Sequence, residues 1–155
     1  METIKQREMQ AMSYESRRLA GILLVVFPLV IYGGVSLLGM LLDAQSGYVQ
    51  NPLRQDLWRA GHAHAGVLLI LALVVLRYVD QAALPGRLKE FVRHAVPAAA
   101  ILLPVAFFLS MPSPTDTKPN VLIYLAFVGA VLLVAGLLIL GVGLIRRPES
   151  LAAQK

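Results

Sequence analysis

LAGILLVVFPLVIYGGVSLLGMLL, residues 19–42, runs for 24 residues without a charged side chain. A bilayer core of ~30 Å takes about 20 residues of helix, so this stretch is long enough to span one. Three more uncharged runs follow at residues 60–76, 95–111 and 121–145. Short polar connections of the kind that joins antiparallel helices separate them. The expected fold is all-α: a four-transmembrane-helix integral membrane bundle with helices over about 19–42, 58–79, 94–111 and 121–145. The 155 residues form one membrane domain, with a tail at 1–18 and another at 146–155.

Composition agrees. Hydrophobic residues make up 57% of the chain and mean hydropathy is +0.70, above the 45–50% apolar share usual in soluble domains. The absence of cysteine excludes disulfide scaffolds and thiolate metal sites. A net charge of +5 in so apolar a chain reports the placement of basic residues about a bilayer, and no nucleic-acid partner is expected. Lys5, Arg7, Arg17, Arg18, Arg77, Arg87, Lys89, Arg93, Arg146, Arg147 and Lys155 fall on one side, and Arg54, Arg59 and Lys118 on the other. This bias predicts both termini in the cytoplasm of a cell with the protein in its plasma membrane. The mixed-charge tail and the length of the first apolar run predict a retained first helix rather than a cleaved signal. Residues 4–16 suggest a short helix on the membrane surface.

The second span opens with WRAGHAHAGVLLI, residues 58–70, which carries His62 and His64 into hydrocarbon. Intramembrane ionisable groups are costly and tend to mark function. Asn51-Pro52 is a helix-start signal, so the helix is expected to begin outside the core and enter lipid at Trp58, a residue favoured at the interface. Residues two apart on a helix point about 200° from each other, so the two rings cannot chelate one ion together. Asp56, Arg59 and His62 form a polar stripe, with Arg59 expected to pair with Asp56. Met40 and Met111, at the outer ends of the first and third spans, and Asp43 lie at the same depth as the histidines. Imidazole with thioether suits copper(I), and His with Met suits haem iron. The residues thus permit a cofactor site of His62, His64, Met40 and Met111, or a metal site of His62, His64 and Asp43. They equally permit histidines that merely bond a backbone carbonyl or a lipid headgroup. Tyr32, in the middle of the first span, needs a hydroxyl partner, expected on a neighbouring helix. Pro97 and Pro104 interrupt the third span, and Pro104 is expected to kink it. The small residues of the fourth span suit close helix contacts.

WRAGHAHAGVLLI resembles the His-bearing helix of haem–copper-oxidase-type membrane proteins and of small four-helix bacterial membrane proteins with a Gly-His-x-His signature. The resemblance covers about a dozen residues. It implies His62 or His64 as an axial haem ligand near the outer surface, with Met40, Met111 or a second copy supplying the other. The function expected is binding of haem or copper in respiratory electron transfer or assembly. The alternatives are a non-catalytic helical subunit docked on a membrane partner or its own copy, and a small transporter or channel. No hydrolase, phosphate-loop or zinc-protease motif is present to suggest an enzyme.

Overall fold

In the computed structural model, which describes residues 12–146, four helices carry the chain and no strand occurs among the described residues. They are α1 (Tyr14–Leu42), α2 (Pro52–Tyr78), α3 (Gly86–Ser110) and α4 (Leu125–Ile145), and 3₁₀ turns at Ala44–Ser46, Val79–Gln81 and Val121–Tyr124 join them. Each is part of a segment long and apolar enough to cross a membrane. The first three helices start earlier than the uncharged runs. Ser13 caps α1 by accepting the Ser16 N–H at 3.2 Å. At α2, Asn51 accepts the Arg54 N–H at 3.1 Å and Pro52 occupies the first turn, as the Asn-Pro pair predicts. Side-chain caps therefore set where α1 and α2 begin, while α3 follows Pro85 without one. The expected surface helix over residues 4–16 lies mostly outside the described residues.

Packing follows chain order: α1 rests on α2, α2 on α3, and α3 on α4. The core is a seam between α2 and α3. Leu68, Leu69, Ala72, Val75, Leu76 and Val79 face Val92, Val96, Ala99, Ala100 and Leu103, with Leu23 and Leu140 closing its two sides. The i, i+3, i+4 spacing of both sets puts each on one helix face. In its most apolar window α3 is 56% buried, against 11% for α1 and 17% for α4, so the outer helices lie at the edges of an α2–α3 centre. Because α1 and α3 both lean on α2 without meeting along their length, a groove runs between them.

Glycine sets the α3–α4 approach. Gly129, Gly136 and Gly143, seven residues apart, face Leu103, Val96 and Leu84 in turn. A Cβ on Gly136 would lie 2.7 Å from Val96 Cγ2. The helix axes approach so closely because these positions lack one. α3 stays helical through Pro97 and Pro104, both buried. The packing of α2 and α4 on either side holds it together.

Polar contacts close each end. At the end carrying the start of α1 and the α2–α3 connection (the terminal end), Arg93 is buried. Its guanidinium pairs with Asp80 at 2.8 Å, contacts Glu90, and donates to Ser16 Oγ at 3.0 Å. Asp80 also accepts the Ser13 N–H at 3.0 Å, and Lys89 Nζ donates to the Asp80 carbonyl at 2.8 Å. One network thus ties α1 to the α2–α3 connection. At the opposite, distal end, Arg54 lies against the Trp58 ring at 3.9 Å and donates to the carbonyls of Met111 and Pro112, both at 3.1 Å. Asn51 Nδ2 reaches the Pro114 and Asp116 carbonyls at 2.9 and 2.8 Å. The distal loops are therefore fastened to the start of α2.

Candidate functional site

His62 sits on the flank of α2 that faces α1. Its ring lies over Gly33 and Gly34: a Cβ on Gly34 would be 3.0 Å from Cε1 and Nε2, and one on Gly33 would be 3.8 Å from Nδ1. Glycine at 34 leaves the imidazole that room, while a Cβ at 33 would make ordinary contact with it. The ring borders a cleft of about 250 Å³ in the α1–α3 groove, floored by Ala65 and Leu69 and walled by Val30, Pro104 and Phe108. His62 is the one polar side chain of that lining. Among the described residues neither of its ring nitrogens has a hydrogen-bond partner. Pro104 adds a second feature, because it has no N–H to give the carbonyl of Ala100, which also borders the cleft.

His64 faces the other way, as a two-residue step requires. It is exposed on the far flank, with Nδ1 2.7 Å from the Ala60 carbonyl and its ring 5.3 Å from that of Phe107. The carbonyl accepts a hydrogen bond from the Nδ1–H, which satisfies that nitrogen locally. Gly61 separates the two flanks: a Cβ there would lie 3.1–3.2 Å from Phe107 and Phe108 atoms, so α2 crosses α3 at this glycine.

The other candidates stand apart from His62. Neither Met40 nor Met111 lines its cleft. The Met111 side chain is fully buried, and its carbonyl accepts from Arg54 Nε and from Trp58 Nε1 at 3.2 Å. The Met40 carbonyl accepts the Ser46 hydroxyl at 2.8 Å. Asp43 caps the Ala44–Ser46 turn by accepting the Gln45 N–H at 2.9 Å. Among the described residues, no three His, Asp or Glu side chains gather as a metal site. One imidazole in a hydrocarbon cleft, with no thioether or carboxylate beside it, does not fit a copper centre. Nor does it fit a haem with two ligands from one chain, since the lining offers no second axial ligand.

Two expectations are corrected, those for Arg59 and Tyr32. Arg59 donates to Gln55 Oε1 at 3.3 Å instead of pairing with Asp56, because the i, i+4 partner lies along the same exposed strip. Trp58 is half-buried within the protein: its N–H is spent on Met111, Arg54 covers one ring face, and Phe108 meets it edge-on at 5.7 Å. It thereby anchors the distal cap. Tyr32 is 72% exposed and points out of the bundle. It lies off the face that Leu23, Val30, Gly33 and Gly34 turn toward α2, so no neighbouring helix reaches its hydroxyl.

Arg54 and Arg93 escaped sequence reading, which counted both only as topology markers. Arg54 Nη1 is buried without a partner. Tyr48 beside it is fully buried, and burial pushes its phenol above the ordinary value against the pull of Arg59 and Arg54. The usable signal was the Arg-x₃-Trp spacing, which stacks a guanidinium on an indole one turn away. No family model, curated protein or solved structure matches the chain.

Proposed function

We propose that the protein is a multi-pass plasma-membrane protein with both termini cytoplasmic, and that it binds a flat, membrane-soluble ring bearing one carbonyl or hydroxyl, of the quinone class, in the α1–α3 cleft. The observation that carries the reading is the unpartnered imidazole of His62 at the wall of an otherwise apolar cleft. A polar group in hydrocarbon costs several kcal/mol when it lacks a partner. A ligand that enters from the lipid and bonds His62 removes that cost. The glycine pair behind the ring and the proline opposite leave smooth walls suited to a flat molecule. The cleft volume, about 250 Å³, lies just below the ~300–1,000 Å³ usual for small-molecule sites, so the ring enters and any tail stays in lipid.

Trp58 provides the readout. Phe108 touches both the indole and the cleft, so a quinone bound at His62 quenches the single tryptophan of the chain. Titrating the reconstituted protein with decyl-benzoquinone should quench Trp58 saturably. His62→Leu should weaken binding about tenfold, the value of one buried hydrogen bond, and His64→Leu should not. Equal binding by all three proteins contradicts the proposal.

Haem held by His62 alone is the second reading, favoured by an imidazole with no partner among the described residues at the edge of an apolar cleft. It predicts a Soret band in the purified protein that disappears in His62→Leu. The second axial ligand would then come from outside this chain.

A further inference from the structure

The α1–α3 groove does not end at the His62 cleft. Toward the terminal end it opens into a second cavity of about 440 Å³, walled by Tyr14, Glu15, Arg18, Leu19 and Ile22 from α1 and by Glu90 and His94 from α3. Both walls change character at one level. On α1 the charges stop at Arg18 and the apolar run begins at Leu19; on α3 they stop at His94 and the run begins at Ala95. The cavity therefore straddles the edge of the hydrocarbon, with a polar mouth and an apolar throat.

We propose that this terminal half of the groove is a binding site for one zwitterionic phospholipid. Arg18 and His94 meet its phosphate, Glu15 and Glu90 its ammonium group, and one acyl chain lies between α1 and α3. The charge pattern selects the headgroup. Two basic and two acidic side chains line one mouth, which suits a phosphate joined to an ammonium and disfavours a purely anionic head. Their partners on the protein leave room for it. Arg18 and Glu15 have none among the described residues. His94 spends Nδ1 on Glu90, at 3.2 Å from Oε1 and 3.1 Å from the carbonyl, which leaves Nε2 for a ligand. Arg93 holds Glu90 from the other side and so fixes one wall.

Length supports the same occupant. At ~1.5 Å per residue, Arg18 to Val26 spans roughly 12 Å along α1. A single leaflet contributes about half of the ~30 Å core. A chain of about 15 Å hung at Arg18 thus runs about ten residues along α1, to the level of Pro28, so its end reaches the His62 cleft, whose lining begins at Val26. The groove holds a phospholipid from the terminal-side leaflet whose chain end abuts the His62 ligand. This second site is independent of the first, and each fails separately.

The test is lipid retention. The protein is reconstituted with equal amounts of phosphatidylethanolamine and phosphatidylglycerol, returned to detergent, and examined by native mass spectrometry. One phosphatidylethanolamine should remain per chain. Arg18→Gln should reduce retention about tenfold, while Arg87→Gln, at the same end but outside the cavity, and His62→Leu should keep it. Ile22→Trp, which fills the throat without touching the charges, should also lose the lipid and decides the matter if Arg18→Gln does not fold. Retention unchanged in both cavity variants, preference for phosphatidylglycerol, or no retained lipid overturns the proposal. Release of the lipid by millimolar inorganic phosphate would show a site that reads phosphate alone, and overturns it too.

Discussion

Gly136→Ala adds one methyl group where α4 crosses α3. Its Cβ would stand 2.7 Å from Val96 Cγ2, against the 3.4 Å at which ordinary contact begins, a shortfall of 0.7 Å (3.4 − 2.7). Val96 is fully buried and β-branched in a helix, so it has one good rotamer and cannot step aside. α4 must move out instead. A gap of ~0.5–1 Å forfeits a quarter to a half of the dispersion attraction across it, and Gly129 and Gly143 lie on the same seam. The expected cost is about 1–3 kcal/mol. Val96→Ala removes the obstructing atom. The next neighbours of the new methyl are then Ala95 Cβ at 3.8 Å and the residue 96 nitrogen at 3.9 Å, both ordinary contacts. In that background Gly136→Ala should be neutral or stabilising, a coupling of at least ~1 kcal/mol between the two changes. Reversible unfolding in mixed SDS–detergent micelles, followed by circular dichroism, measures all four corners of the cycle. If Gly136→Ala costs the same with valine or alanine at position 96, α4 does not pack on α3 through this glycine.

Three other outcomes are expected from the same assay. Asp80→Asn should cost about 1.5–3 kcal/mol, because it replaces one of the two carboxylates on the buried Arg93 guanidinium by a neutral group while Glu90 remains, whereas Asp80→Leu alone should cost more. Arg54→Met should cost about 1–3 kcal/mol by orphaning the Met111 and Pro112 carbonyls, with a shift in Trp58 emission as the guanidinium leaves its ring face. Tyr32→Phe should change stability by less than ~0.5 kcal/mol, since the hydroxyl points away from every helix.

The four spans were legible because their signal is a local one: an uncharged run long enough to cross hydrocarbon. The divergence of His62 and His64 was legible for the same reason, since it follows from helix geometry alone. Which ring would face the bundle was not. That depends on Gly33 and Gly34, 28 or 29 residues upstream, and a small pair on α1 declares no partner until α1 and α2 are aligned. Met40, Met111 and Asp43 were expected at the depth of the histidines, but the structure sets His62 against Gly34, six residues or ~9 Å short of Met40 along α1, and none of the three lines the cleft. Tyr32 failed for a related reason: it was assigned a partner from its height in the membrane, while burial is decided by the side of the helix it occupies. The Arg93 network joins Ser13, Ser16, Asp80 and Glu90 from three elements, so no single stretch of chain announces it.

The central claim is that His62 alone, of the two histidines, is presented to a ligand. Side-chain ¹⁵N NMR of imidazole-labelled protein in bilayers, recorded with and without decyl-benzoquinone, tests it directly. The account predicts a shift of one His62 ring nitrogen on addition of the quinone, with His64 held unchanged by its bond to the Ala60 carbonyl. An unmoved His62 signal, or equal shifts at both rings, would contradict it.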